Sequence, residues 1–78
     1  MVRLRFFAAL REHMGPARSA TVAPGTTVGA LWRSLVAEEP ALARYRVRFA
    51  VNEEYVPPSH RLVENDEVAV FPPVSGGA

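Results

Sequence analysis

Val2, Leu4 and Phe6 alternate with Arg3, Arg5 and Phe7, a period of two that predicts a strand with one buried face. Ala8 to Met14 reads as a short helix, stopped by Gly15-Pro16. Ser19 to Ala23 is expected to pair back as a second strand, with Ala20 and Val22 facing inward. Pro24-Gly25 marks a turn, and Thr26 and Thr27 are candidate helix N-caps. Val28, Leu31, Trp32, Leu35 and Val36 then fall on one stripe at helical spacing, with Gly29, Arg33, Ser34 and Ala37 outside it. Pro40 ends this helix after Glu38-Glu39, roughly three turns from its start. Ala41 to Tyr45 is expected to be a connector with some helical character. Val47, Phe49 and Val51 predict a third strand and Asn52-Glu53-Glu54 a turn. Tyr55-Val56 predicts a short edge strand, where the following Pro57-Pro58 is tolerated. Glu64-Asn65-Asp66 turns the chain into a last strand, Glu67 to Phe71, with Val68 and Val70 inward.

One helix among four or five strands buries its stripe most economically across one face of a mixed sheet. Two hairpins with a helical crossover between them set the first and last strands side by side in parallel. The predicted architecture is α+β, a ubiquitin-like β-grasp. Residues 1–71 would form the domain and residues 72–78 a flexible, extended tail.

The chain has 78 residues, which leaves room for a single domain. It contains no cysteine, which removes disulfides, thiolate metal sites and a cysteine nucleophile together. Net charge is +1, and all nine basic residues are arginines spread from Arg3 to Arg61 without a cluster. A nucleic-acid partner would call for a concentrated basic patch, so none is expected. No apolar run approaches the roughly 18 residues that span a bilayer, and the first residues lack a signal-peptide core. A membrane partner is therefore not expected, and the location is expected to be cytoplasmic.

Side-chain chemistry is sparse. His13 and His60 have no partner at metal-ligand spacing, so no metal is expected. Glu38-Glu39 and Glu53-Glu54 are neighbours in sequence, which point apart on a helix or strand. Ser19, Ser34, Ser59 and Ser75 lack a histidine–acid constellation to activate them. Pro24-Gly25-Thr26-Thr27 has no lysine for a phosphate loop. Trp32, at helical spacing with Val28 and Leu35, is a core or core-edge residue. Phe7 and Phe71 are different, because both face away from the buried positions of adjacent strands. They form either a docking surface on the open sheet face or a pair tucked under a loop.

The C-terminal run Phe71-Pro72-Pro73-Val74-Ser75-Gly76-Gly77-Ala78 carries no charge. Its prolines favour an extended exit from the domain, and its glycines leave a carbonyl uncrowded by side chains. An acyl group under attack needs its nucleophile at about 3–3.5 Å, and glycine gives that access. The run reads either as a reactive terminus threaded into another protein or as a disordered end of small residues.

Three blocks together resemble one family. Phe6-Phe7-Ala8-Ala9-Leu10-Arg11-Glu12 is similar to the opening of the MoaD family, the small subunit of molybdopterin synthase. Ala50-Val51-Asn52-Glu53-Glu54-Tyr55-Val56 is similar to its middle strand and turn. Asp66 to Gly77, with Phe-Pro-Pro-Val before Gly-Gly, resembles its C-terminal signature. The thiamin-pathway carrier ThiS shares the diglycine but usually lacks that run.

The resemblance implies a sulfur carrier that is not an enzyme on its own and binds no cofactor. A MoeB-type enzyme would use ATP to adenylate the terminal glycine, and a sulfurtransferase would supply the sulfur of a thiocarboxylate. A MoaE-type large subunit would use that sulfur for the dithiolene of molybdopterin, in an expected heterotetramer. Gly77 would then bear the activated carbonyl, and Gly76 would give clearance. Pro72, Pro73, Val74 and Ser75 would line the contact with the partner. Phe7, Phe71 and Arg11 would belong to the docking face. The family ends at its second glycine, so Ala78 is expected to be removed before activation. The alternatives are a carrier serving thiamin, cysteine or tRNA thiolation, or a protein modifier attached as a single tag. The chain has no lysine, so it cannot build isopeptide polymers on itself.

Overall fold

A computed structural model describes residues 1–72. The expectations for Pro73, Val74, Ser75, Gly76, Gly77 and Ala78 lie outside those residues. Five strands form one mixed sheet: β1 (Val2–Phe6), β2 (Ala17–Ala20), β3 (Arg48–Val51), β4 (Glu54–Val56) and β5 (Glu67–Phe71). Their spatial order is β2-β1-β5-β3-β4, with β1 parallel to β5 and every other pair antiparallel. A short helix, α1 (Ala9–Met14), follows β1, and the main helix, α2 (Val28–Glu38), crosses between the two hairpins. This is the α+β β-grasp arrangement expected from the element order, with the first and last strands adjacent at the centre of the sheet.

α2 forms because its start is capped and its stripe is apolar. Thr27 Oγ1 accepts a hydrogen bond from Ala30 N–H at 3.1 Å, satisfying one of the free donors of the first turn. Val28, Leu31 and Leu35 are buried, and Trp32 and Val36 pack on the same core. That core is completed by the inward residues of the strands, Val2, Leu4, Phe6, Phe49, Val51, Val68 and Val70. Glu39 N–H still bonds to Leu35 O, and the chain then tightens into a 3₁₀ turn over Pro40–Arg44 that buries Leu42.

Three boundaries differ from the sequence expectation. β2 runs Ala17–Ala20 rather than from Ser19 to Ala23. Pairing begins directly after the Gly15-Pro16 turn, where Phe6 N–H donates to Pro16 O, and Ala20 already stands opposite Val2 at the start of β1. β1 begins at Val2, so the ladder ends at Ala20, although Val22 still packs on the core. β3 starts at Arg48, leaving Val47 packed beside the core but outside the ladder. Glu54 belongs to β4 because the hairpin turn is only Asn52-Glu53, with φ of 50° and 73°. Positive φ at both central residues is the two-residue turn whose twist matches a hairpin.

Gly29 also departs from the expectation. It lies outside the apolar stripe, yet it is buried against Pro58. Its N–H donates to Pro58 O at 2.9 Å, and Val28 N–H donates to His60 O at 2.9 Å. The first turn of α2 therefore receives the loop after β4, so closely that a Cβ at Gly29 would stand 3.0 Å from Pro58 Cβ.

Candidate functional site

Alternation places Arg5, Ala69, Phe71, Arg48, Ala50 and Tyr55 on the sheet face opposite α2, by the registers Arg5↔Ala69, Ala50↔Ala69, Arg48↔Phe71 and Ala50↔Tyr55. Phe7, just beyond β1, reaches this face too. Its ring meets that of Phe71 edge-on, with centroids 6.1 Å apart. The opposite side of the cluster was not foreseen: the Tyr55 ring packs edge-on against Phe71 at 5.6 Å.

Tyr55 and Phe71 lie on strands separated by β3 and meet on a diagonal, Ala50 standing opposite Tyr55 and Arg48 opposite Phe71. Ala50 puts only a methyl group on this face and is 8% exposed. A reading of each strand alone marks Tyr55 as an edge residue. The signal that finds it is cross-strand register: Tyr55 opposite a small Ala50, which pairs with Ala69, two residues before Phe71.

The cluster is presented to solvent. Phe7 is 40% and Tyr55 74% exposed, so the described loops do not cover it. Arg5 holds its guanidinium carbon 5.8 Å from the Phe7 ring centroid, within cation–π range, and reaches Glu67 at 3.5 Å. Phe7 is fixed by its backbone, with N–H donating to Val70 O and O accepting from Leu10 N–H. Ala8 next to it has φ 54°, ψ −132°, a region costly for a residue with a side chain. This turn separates β1 from α1 and aims Phe7 away from the core. Arg11 follows as an exposed residue of α1, with its N–H on Ala8 O. Pro72, half-buried, is the last residue described and follows Phe71 directly, so the aromatic cluster borders the point where the chain leaves the sheet.

The remaining candidates sort into structural roles. His13 lies between Tyr45 Oη, 3.3 Å from Nε2, and Glu39, 3.6 Å from Nδ1, tying α1 to the 3₁₀ turn. Trp32 sits at the core edge against Phe49, with centroids 6.4 Å apart. Among the described residues no group of three or more His, Asp or Glu could hold a metal ion. No described helix is long and apolar enough to cross a membrane.

The pattern of the ThiS family matches residues 4–77. This chain belongs to the ThiS family. Within it, the chain is 38% identical over 81 residues to the molybdopterin synthase sulfur carrier subunit of Escherichia coli, covering 99% of this chain and 100% of that protein. It is 39% identical over 80 residues to the protein of the same name from Mycobacterium tuberculosis, covering 97% and 96%. Among solved structures it superposes on small archaeal modifier protein 1 of Haloferax volcanii with a TM-score of 0.81 at 27% identity, covering 94% and 97%. These likenesses run nearly end to end, so the β-grasp and the candidate docking face lie inside the shared region.

Proposed function

We propose that this chain is the sulfur carrier subunit of a molybdopterin synthase, working in the cytoplasm. Its near end-to-end likeness to the E. coli subunit of that name carries the reading. The division of labour is physical: residues 1–71 form a rigid handle, residues 72–78 deliver the reactive end, and partner proteins supply the catalytic groups.

In this reading Ala78 is removed and the Gly77 carboxylate attacks the α-phosphate of ATP on a MoeB-type enzyme, releasing pyrophosphate. A persulfide on a sulfurtransferase then displaces AMP to form an acyl disulfide, and a second thiol cleaves that disulfide, pairing with the donor cysteine and releasing the thiocarboxylate. A MoaE-type large subunit takes that sulfur into the dithiolene of molybdopterin. Gly76 and Gly77 keep the carbonyl open to the incoming nucleophile, while Pro72 and Pro73 reduce the ordering cost, about 1–2 kcal/mol for each backbone residue fixed. Val74 and Ser75 complete the contact with the partner. Phe7, Phe71 and Tyr55 dock the handle, with Arg11 at the rim.

The direct test mixes the thiocarboxylated chain with the large subunit from the same organism and cyclic pyranopterin monophosphate. Molybdopterin should form. Its absence, with sulfur passing instead to a thiamin, cysteine or tRNA acceptor, would reassign the pathway. A second reading, a modifier attached as a single tag, is favoured by the likeness to the archaeal modifier protein. Adducts in cell extract that survive reducing agent and contain this chain would support it.

A further inference from the structure

Beside the aromatic cluster, a groove of about 660 Å³ opens between β3 and the end of β4. Its lining includes Arg46, Arg48, Phe49, Tyr55 and Pro57, and no acidic residue. Arg46 and Arg48 are both exposed. The ion pairs among the described residues are Met1–Glu64, Arg5–Glu67, His13–Glu39 and Arg18–Glu38, and neither groove arginine takes part in one. Among the described residues, two arginines thus line one concavity without a carboxylate to offset them. The groove is continuous with the docking face, since Tyr55 belongs to both and Arg48 stands opposite Phe71.

We propose that this groove receives a carboxylate-bearing segment of the protein that docks on the aromatic cluster, with Arg46 and Arg48 pairing its acidic side chains. An arginine fork binds a carboxylate through two parallel hydrogen bonds. Tyr55 and Pro57 supply an apolar wall that shields the pair from water. The aromatic rings carry contact area, and the two arginines set approach rate and orientation. The inference rests on the carrier reading only for the identity of the partner, the large subunit.

The test has two arms, both on the full chain. In the first, the ¹⁵N-labelled protein is titrated with an octaglutamate peptide. The amides of Arg46 to Phe49 and of Tyr55 and Val56 should shift, and the Arg46→Gln/Arg48→Gln double variant should lose those shifts. Absence of shifts overturns the proposal, as does an equal response to octalysine. Tighter binding of a thymidine decamer, competing away the peptide, would make the groove a nucleic-acid site and overturn it too. In the second arm, association with the large subunit is followed against salt. The double variant should associate about tenfold more slowly at low salt, with a flatter salt dependence, while Arg33→Gln, exposed on α2, should match the parent. Equal association rates for parent and double variant overturn the proposal. A large subunit that ignores the parent chain refutes the carrier reading, and the peptide arm then decides the groove alone.

Discussion

The Phe7 ring packs edge-on against Phe71 across the parallel pair of β1 and β5, although these residues come from opposite ends of the domain. The pair is possible because α2 carries the chain to β3, one place away from β1, and the return after β4 fills that gap with β5. Both rings lie outside the core, so they add little to folding. Replacing Phe7 with Ala should cost less than about 1.5 kcal/mol of stability, the upper range of an aromatic pair. It should weaken binding to the large subunit by about 2 kcal/mol or more, as a buried anchor at an interface would. Thermal melts and titration calorimetry on the same samples check both. A variant that melts far below the parent yet binds normally would place Phe7 in the fold instead of the docking face.

Asp66 has the opposite character. It is 5% exposed, and its carboxylate accepts from Asn52 Nδ2 at 2.9 Å and from Val63 N–H at 2.8 Å. Asn52 Oδ1 in turn accepts from Glu67 N–H at 3.0 Å. This network clamps the β3–β4 turn to the entry of β5. Asp66→Ala would leave two donors without a partner, each costing about 1–3 kcal/mol. A loss of about 2–4 kcal/mol in urea unfolding is expected. Sulfur transfer per folded molecule should be unchanged, because the network lies away from the aromatic cluster.

The strand and helix periods made the architecture readable, since burial of Val2, Leu4, Phe6, Val68 and Val70 on one face is a local alternation. The same alternation placed Phe7 and Phe71 on the open face. What it could not supply was register. Tyr55 joins the cluster through its register opposite Ala50, diagonal to Phe71, and β2 ends where Ala20 stands opposite Val2. The clamp around Asp66 was equally hidden, since Glu64-Asn65-Asp66 reads as a turn of solvated polar residues until Asn52 is brought alongside. These misses concern long-range neighbours that no window of sequence contains, whereas Glu54 was misplaced by a local feature, the two-residue turn at Asn52-Glu53.

Gly29 sets two effects in opposition. In an exposed helix, Gly to Ala gains about 1 kcal/mol. At this position an added Cβ would stand 3.0 Å from Pro58 Cβ and 3.1 Å from Pro58 O, against a backbone held by the Gly29 N–H hydrogen bond. Overpacking of this kind costs about 1–3 kcal/mol. Gly29→Ala should therefore be destabilising on balance, by up to about 2 kcal/mol. A higher melting temperature for the variant would mean that the loop after β4 yields easily.

Gly77→Ala separates chemistry from folding most sharply. Among the described residues the core lies between Val2 and Val70, and a glycine has no side chain to lose from it, so the melting temperature should match the parent. A methyl group beside the acyl carbon would crowd both the partner's walls and the path of the nucleophile. A misplacement of about 1 Å at a reacting centre can cost on the order of a hundredfold, and a loss of that order is expected in adenylation or sulfur transfer. Intact-mass analysis after incubation of each chain, prepared with and without Ala78, with the activating enzyme, ATP and a sulfur donor reads the outcome. The parent should gain the mass of one oxygen-to-sulfur exchange on a chain ending at Gly77, and the variant should remain a carboxylate. Efficient thiocarboxylation of the variant would show that side-chain clearance does not govern the step. Exchange on a chain that retains Ala78 would show that trimming is not required.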